Sequence, residues 1–528
     1  MGLMSENRQI TDGRVRKPRD IPGVRADYRG MDMDDDACYR AFQMRDARFD
    51  GRIFCGVKST GIYCRPICPA RTPKRENMTF HRSAAAAQEA GFRPCLRCRP
   101  ETSPDLGSWR GTSNTVSRAL ALIEAGAMDT GDVDALAGRL GVGERQLRRL
   151  FQQHVGASPV AVAQTRRVLL AKQLIHETRM PMAEVAMAAG FGSVRRFNET
   201  FQQLFARPPA TLRRTGGAEI AAGEGGAVTI RMPYRSPYDW EAMIAFLTAR
   251  AIPGVESVQG GSYARTLVVG QARGVVMVEP GAGDWLKVTL RFPKVQAWPA
   301  VIARVRRVFD LAADPAVIAA HLSEDPDLAP MVAARPGLRA PGAWDGFELS
   351  VRAVLGQQIT VHAARQLAGK ITAAHGAPLE DEAANQIGLT HFFPTPEQLA
   401  LIDVETLPMP RARGRALTGL AAAAAADPDL FGARRSLDEA VAALRALPGI
   451  GEWTAQYIAM RALREPDAFP SADIGLMRAL ETPDGVRPTA AELLARAERW
   501  RPWRAYAASH LWAADPKNPS ESKHAKAA

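Results

Sequence analysis

Long apolar runs and an apolar leader are both missing from this sequence. No stretch reaches the roughly 18 consecutive apolar residues that a membrane-spanning helix requires. Residues 1–20 carry charges throughout and lack the apolar centre of a secretory signal peptide. We therefore expect a cytoplasmic protein, in a compartment where disulfide bonds are rare.

Cysteine is scarce and unevenly placed. All six cysteines lie between Cys38 and Cys98, and none follows in the rest of the 528-residue chain. Such clustering indicates that the cysteines serve one local site.

Acidic residues are outnumbered by basic ones. The chain has 56 Asp and Glu against 68 Lys and Arg, which leaves a net charge of +12. This excess favours a polyanionic partner, with nucleic acid first and an anionic membrane surface as the alternative. No basic amphipathic helix or lipidation motif supports the alternative, so we expect no membrane partner.

Four of the cysteines form two short pairs. Cys64 and Cys68 are separated by three residues, and Cys95 and Cys98 by two. Each pair can supply two thiolates from one turn, so the pattern predicts one zinc ion bound by four cysteines. The alternative is four unrelated free thiols. Cys38 and Cys55 lie outside the pattern, and we expect them to be ordinary buried thiols.

Basic side chains crowd this cysteine pattern. They are Arg65, Arg71, Lys74, Arg75, Arg93, Arg97 and Arg99. Beside a zinc site we interpret them as phosphate contacts, and a solvated basic face is the alternative.

Residues 49–100 resemble the N-terminal domain of the Ada family of methylation-response proteins. In that family the first cysteine of the quartet accepts a methyl group from a DNA methylphosphotriester. The resemblance gives this role to Cys64, with Cys68, Cys95 and Cys98 as the other zinc ligands. Methylation would remove one negative charge from the four-thiolate site. We expect the affinity for DNA phosphate to rise as a result.

Two segments, residues 132–156 and 181–207, each read as a helix, a glycine-containing turn and a second polar helix. This is the pattern of a helix-turn-helix motif, and a plain helical bundle is the alternative. The second helices are predicted near Glu144–Gln153 and Ser193–Phe205. Their candidate DNA contacts are Arg145, Gln146, Arg149, Arg195, Arg196 and Asn198. The spaced pair resembles the AraC/XylS-type DNA-binding domain, which implies promoter DNA and RNA polymerase as partners.

A predicted helix that starts with the capping box of Ser436 and Glu439 leads into the turn Leu447-Pro448-Gly449-Ile450-Gly451. Glycines at this turn let backbone N–H groups of the next helix approach a phosphate. Asp473 follows that second helix. From the residues alone, an aspartate there is more often a helix N-cap than a catalyst.

Residues 447–473 resemble the helix-hairpin-helix DNA glycosylases of the AlkA type, which act on 3-methyladenine, and the resemblance extends over residues 228–515. It makes Asp473 the catalytic aspartate and implies a monovalent cation at the hairpin. It also implies DNA contacts by Gly449, Gly451, Thr454 and Gln358, with Gln358 filling the gap left by a flipped base. The candidates for the base pocket are Trp453, Tyr457, Trp500 and Trp503, of which we expect at least one to be structural.

The sequence departs from related enzymes in two ways. Trp453 stands where glycosylase–lyases carry a lysine, so we expect hydrolysis without a Schiff-base step. No cysteine follows Cys98, so we expect neither the iron–sulfur cluster of some relatives nor the methyltransferase domain that ends many Ada proteins. Asp473 would stabilise an oxocarbenium ion and orient water.

The expected function is excision of alkylated bases, joined to a methylphosphotriester acceptor and a transcriptional regulator of the alkylation response. The alternative is mainly a methylation-activated transcription factor with a catalytically weak glycosylase domain. We expect a multidomain, mainly α fold. Its predicted parts are a tail (1–33), an α/β zinc domain (34–103), an all-α double helix-turn-helix domain (112–214), a linker (215–227), an α/β glycosylase subdomain (228–342), an all-α helix-hairpin-helix domain (343–517) and a tail (518–528). Such a protein would be nucleoid-associated.

Overall fold

The computed structural model of the protein describes residues 34–103, 114–213, 227–427, 429–432 and 436–516. The predicted tails, 1–33 and 518–528, lie outside these residues, as does the predicted linker apart from Ala227. Within the described ranges, no helix is both long enough and apolar enough to cross a membrane.

Residues 34–103 form a small four-stranded sheet with two helices. Asp34 caps the first helix and Ser83 caps the second, each by accepting a backbone N–H in the first turn. The strand order is β3-β1-β2-β4, and β4 runs parallel to β2. The elements are α1 (Asp35–Gln43), β1 (Phe54–Val57), β2 (Ile62–Cys64), β3 (Met78–His81), α2 (Ala84–Glu89) and β4 (Arg93–Pro94).

The two cysteines outside the paired pattern lie in this small core. Cys38 is 0 % exposed and Cys55 is 1 % exposed, and both pack in one apolar cluster with Phe42 and Ile53. The prediction that they are ordinary buried thiols is confirmed. Burial raises the pKa of the Cys38 thiol to about 11, so that thiol stays protonated at neutral pH.

Residues 114–213 are wholly helical in their regular structure. Two helix-turn-helix units lie on either side of one long helix, α7, as the sequence predicts. The turns bend at Gly141 and Gly190, whose φ angles are +68° and +88°. The elements are α3 (Asn114–Glu124), α4 (Ala127–Thr130), α5 (Val133–Arg139), α6 (Glu144–His154), α7 (Pro159–Glu177), α8 (Met182–Ala188) and α9 (Val194–Phe205).

The next unit is a five-stranded antiparallel sheet with one helix against it. Its strand order is β5-β9-β8-β7-β6, so β5 and β6 are the edges. The α/β character that the sequence predicts for this subdomain is present, and β6 is its shortest strand. The elements are β5 (Val228–Pro233), α10 (Trp240–Arg250), β6 (Glu256–Gln259), β7 (Ser262–Val269), β8 (Ala272–Pro280) and β9 (Trp285–Arg291).

The rest of the described chain is helical. The first of its helices packs on the five-stranded sheet, and most of the others surround the largest apolar core. Its helices are α11 (Trp298–Val308), α12 (Pro315–Leu322), α13 (Ala329–Ala334), α14 (Gly346–Leu355), α15 (Val361–His375), α16 (Glu382–Gln386), α17 (Pro396–Ala400), α18 (Arg411–Ala426), α19 (Leu437–Arg445), α20 (Glu452–Arg461), α21 (Ile474–Ala479), α22 (Ala490–Ala497) and α23 (Arg504–Ala514). The multidomain, mainly α fold predicted from the sequence is confirmed.

Candidate metal centre, DNA-reading helices and glycosylase site

The four paired cysteines meet at one end of the small sheet. Strand β2 pairs in parallel with β4, with Tyr63 opposite Pro94, and the next residues along the two strands are Cys64 and Cys95. The loops that follow return Cys68 and Cys98 to the same place. All four sulfur atoms lie within 4.8 Å of one another.

This arrangement fits a zinc ion. Four sulfur ligands at tetrahedral spacing are what a structural zinc site requires. Two backbone N–H groups already donate to the sulfurs, from Arg65 to Cys98 Sγ at 3.4 Å and from Arg97 to Cys95 Sγ at 3.3 Å. Such donors stabilise thiolates. Cys64 is only partly buried, whereas the other three are at most 8 % exposed.

Five of the seven basic residues around the cysteines fall into two groups. Arg65 is 5 % exposed, forms a buried ion pair with Asp50 and donates to the Cys98 carbonyl at 3.0 Å. Arg99 pairs with Glu101 and Glu177 at 3.2 and 3.0 Å. Both arginines are engaged in ion pairs within the fold, and the buried Arg65 does not face solvent as a phosphate contact would. Exposed positions are held by Arg71, Lys74 and Arg97.

The second helix of each helix-turn-helix unit separates an apolar face from a polar face. In α6, Leu147 and Phe151 are fully buried, and in α9 Phe197 and Phe201 are. The opposite faces carry exposed side chains, and these include all six predicted DNA contacts: Arg145, Gln146, Arg149, Arg195, Arg196 and Asn198. Arg195 pairs with Glu199 at 2.8 Å on that open face.

The hairpin between α19 and α20 has the predicted backbone geometry. Ser436 and Glu439 form the capping box of α19. Gly449 has a φ of +80°, and a Cβ there would lie 2.6 Å from the Cβ of Ala416, so the turn requires glycine. Gly451 is the N-cap of α20, where no side chain caps the first turn. The first N–H groups of α20 therefore remain available to an anion.

The loop after α14 lies against this hairpin. The Gln357 side chain donates to the Gly449 carbonyl at 2.8 Å. The next residue, Gln358, is exposed and has a φ of +58°, which turns it out of the helical path. Thr454 differs from the prediction. It is 4 % exposed, so its side chain packs inside and cannot reach DNA from the surface.

Asp473 is the N-cap of α21 and the centre of a hydrogen-bonded cluster. Its Oδ1 accepts from the backbone N–H groups of Gly475 and Leu476 at 2.8 and 3.1 Å, and from the Trp512 indole at 3.0 Å. Its Oδ2 accepts from the Trp453 indole at 2.8 Å. Four donors thus hold both oxygens in a fixed orientation.

Aromatic rings surround this carboxylate. Trp453 stacks on Tyr457 with ring centroids 5.2 Å apart, and Trp512 meets Tyr457 edge-on at 6.3 Å. Trp512 was not among the predicted site residues, although it lies in the C-terminal segment that carries the glycosylase resemblance. No local signal distinguishes it from the tryptophans before it. Only the packing of α23 against α21 shows that its indole reaches Asp473.

Two predicted pocket residues are core residues instead. Trp500 is 1 % exposed, and its indole donates to Asp325 at 2.7 Å. Trp503 is 7 % exposed and packs edge-on against Tyr506. Neither ring has an open face on which a base could stack, so the prediction for both was wrong.

Comparisons with known proteins agree with this layout. Family models match in three places: the metal binding domain of Ada at residues 37–101, a helix-turn-helix domain at 136–215 and the AlkA N-terminal domain at 229–345. A probable bifunctional transcriptional activator/DNA repair enzyme AlkA of Mycobacterium tuberculosis is 43 % identical over 91 % of this chain and 97 % of its own length. The chain belongs to this bifunctional activator and repair family. The resemblance inferred from the sequence is confirmed.

Two further relatives each cover a part of this bifunctional chain. DNA-3-methyladenine glycosylase 2 of Escherichia coli is 36 % identical over 55 % of this chain and 98 % of its own length. The bifunctional transcriptional activator/DNA repair enzyme Ada of Escherichia coli is 36 % identical over 25 % of this chain and 36 % of its own length. The family thus combines regulator and glycosylase modules in one chain.

Proposed function

We propose that this protein hydrolyses the N-glycosidic bond of alkylated bases, of the 3-methyladenine type, in double-stranded DNA. The observation that carries the proposal is the Asp473 carboxylate, held by four donors beside the rings of Trp453, Tyr457 and Trp512. The glycosylase relative that spans this half of the chain supports the same substrate class.

The residues of the site have separate roles in this reaction. An alkylated purine that carries positive charge leaves readily, so the site needs a carboxylate for the developing oxocarbenium ion more than it needs an acid. Asp473 supplies that charge in a fixed orientation. The Trp453 indole donates to Asp473 at the position where a glycosylase–lyase carries its lysine amine. Water, and not an amine of the protein, therefore adds to the sugar cation. The base is first flipped out of the duplex. We propose that Gln358 then fills its place, because this exposed side chain lies beside the hairpin.

The decisive comparison is base release from alkylated DNA by the wild type, Asp473→Asn and the control Asp484→Asn. Asp484 is an exposed carboxylate in the loop after α21. We expect the wild type and the control to release 3-methyladenine, and Asp473→Asn to lose at least about a hundredfold in rate, since the charge that stabilises the transition state is gone. Equal release by all three contradicts the mechanism. Release by none favours the alternative of a transcription factor with a catalytically weak glycosylase domain.

We further propose that Cys64 accepts a methyl group from a DNA methylphosphotriester. When bound by Cys64, Cys68, Cys95 and Cys98, a zinc ion keeps the thiols ionised. The sulfur of Cys64, the least buried residue of the four, would bond to the methyl carbon while the phosphate oxygen leaves with its electron pair. The site then carries one negative charge fewer, which favours DNA binding by α6 and α9 and recruitment of RNA polymerase at promoters.

The matched variants for this step are Cys64→Ala and Cys38→Ala. Both remove one thiol from the same small unit, but only Cys64 belongs to the quartet. We expect Cys64→Ala to take up no methyl group from methylated DNA and to bind less zinc, while Cys38→Ala does both as the wild type does. Methyl uptake by Cys64→Ala would overturn the assignment. A monovalent cation at the Gly449 hairpin and a cytoplasmic, nucleoid-associated location are further parts of this proposal.

A further inference from the structure

A buried cation lies behind the aromatic rings of the glycosylase site. Trp453, Tyr457 and Arg461 are spaced four residues apart in α20, so they line one face of that helix. The Arg461 guanidinium carbon is 5.2 Å from the ring centroid of Trp512 and 5.7 Å from that of Tyr457. Arg461 is only 3 % exposed.

Among the described residues, no carboxylate is one of the groups that act most strongly on Arg461. One guanidinium nitrogen donates to the Pro341 carbonyl at 2.9 Å, and the Phe246 ring centroid lies 4.9 Å from the guanidinium carbon. Nε has no hydrogen-bond partner in the part of the chain that the structure describes. Tyr457 favours the positive charge of Arg461, whereas the neighbouring cations Arg250 and Arg464 oppose it. Burial lowers the pKa of Arg461 to about 10, which still leaves it charged at neutral pH. Buried arginines are normally paired with carboxylates, so this one is unusual.

Cleavage of the glycosidic bond always moves charge in the same direction. The C1′–N bond breaks, its electron pair stays on the base nitrogen, and the sugar becomes a cation until water adds and loses a proton. A cationic base becomes neutral and a neutral base becomes anionic, so the base gains one unit of negative charge in both cases. A fixed cation on the base side therefore favours the transition state over the bound substrate.

We propose that Arg461 is a positioning residue of the proposed glycosylase reaction, holding the Tyr457 and Trp512 rings and placing a positive charge on the base side, opposite Asp473 on the sugar side. This inference rests on the proposed function. As a consequence, the Arg461 charge should affect the binding of the substrate and the rate of bond cleavage in different ways. The charge repels a cationic alkylated base in the ground state, leaves a neutral base unaffected, and speeds the departure of both.

The test compares Arg461→Met, Arg461→Gln and Arg461→Lys with the wild type. Methionine keeps much of the side-chain length, glutamine keeps a donor for the Pro341 carbonyl, and lysine keeps the charge. Arg496→Met, in α22 where Arg496 pairs with Asp327, is the control for loss of an arginine elsewhere. The substrates are duplexes with a single 7-methylguanine, which is cationic, or a single hypoxanthine, which is neutral. Single-turnover rates and half-saturating enzyme concentrations are measured for each, with thermal unfolding as the check on folding.

We expect Arg461→Met and Arg461→Gln to slow release of both bases by about three- to tenfold, the size expected for about half a unit of charge that develops roughly 9 Å from the guanidinium at an effective dielectric constant of about 20. Both neutral variants should bind 7-methylguanine DNA more tightly than the wild type does, with no gain on hypoxanthine DNA. Arg461→Lys should restore most of the rate. Because glutamine and lysine both keep a donor, their comparison decides the matter even if Arg461→Met does not fold.

Equal losses in the glutamine and lysine variants, with unchanged relative binding of the two bases, would overturn the role of the charge. An active wild type with this result leaves the proposed function standing. A wild type that releases neither base, as Asp473→Asn should, contradicts the proposed function itself. The two failures are therefore distinguishable in one experiment.

Discussion

Trp512 offers a sharp test of how the Asp473 carboxylate is held. Trp512→Phe keeps an aromatic ring beside Tyr457 but removes the indole N–H that donates to Asp473 Oδ1 at 3.0 Å. A hydrogen bond to a charged acceptor contributes about 1.5–3 kcal/mol. If that bond is fully formed in the transition state, its loss lowers kcat/KM by about ten- to 150-fold. Backbone N–H groups of Gly475 and Leu476 still donate to the same oxygen, so we expect the lower end of this range.

The assay is single-turnover release of 3-methyladenine from alkylated duplex DNA. Trp453→Phe should lose at least as much, because its indole is the one donor that reaches Asp473 Oδ2 in the described part of the chain. Trp285→Phe, in strand β9, is the control for loss of an indole away from the site. A Trp512→Phe rate within twofold of the wild type would refute the reasoning, as would an equal loss in Trp285→Phe.

Three further predictions concern the fold and the DNA-reading faces. Lys172→Met removes a fully buried ammonium from Glu101 and should destabilise the protein by about 3–5 kcal/mol in chemical denaturation, with a conserved-charge Lys172→Arg losing less. Burial opposes the charge of Glu101, but Lys172, His176 and Arg99 outweigh it and hold its pKa at about 2, below the ordinary 4.5. That stabilisation is complete above pH 4.5 and should be lost as the pH falls towards 2, by roughly 3 kcal/mol in a pH series of unfolding curves. Arg149→Ala and Arg196→Ala should each reduce the slope of log affinity against log salt by about 0.9 for duplex DNA if each contacts one phosphate, and Lys287→Ala should not.

Most of the architecture and the central site residues could be predicted from the sequence, because they rest on short-range patterns. The cysteine pairs, the hairpin glycines and the capping box are each set by a few neighbouring residues. The sequence position of Asp473 allows two roles, and the structure shows it both as the N-cap of α21 and at the centre of the site.

The sequence predictions for individual side chains were wrong or incomplete where the surroundings of the side chain come from distant parts of the chain. Trp500 and Trp512 occur in one stretch of similar composition, yet Trp500 packs on Asp325 and Trp512 reaches Asp473. Thr454 lies one residue after Trp453, and a rotation of about 100° per residue around α20 turns it into the core. The burial of Arg65 depends on Asp50, which no local pattern connects to the cysteines. Such outcomes depend on packing, which a single sequence does not display.

Helix α7 connects the units of this chain through buried polar contacts. Lys172 of α7 donates to the carbonyl of the zinc ligand Cys95 at 3.0 Å and pairs with Glu101. At the end of α7, Glu177 pairs with Arg99 of the zinc unit at 3.0 Å and accepts the backbone N–H of Arg231, in the edge strand β5 of the glycosylase sheet, also at 3.0 Å.

Gln173, one turn earlier in α7, donates to the carbonyl of the same Arg231 at 2.6 Å. Two side chains of the helix between the DNA-reading units therefore satisfy the N–H and C=O that an edge strand would otherwise expose. These groups are buried, so separating the units would leave charges and backbone polar atoms unpaired, at a cost of several kcal/mol. A displacement of the zinc unit must then either break this buried network or carry α7, and with it the edge of the glycosylase sheet, along.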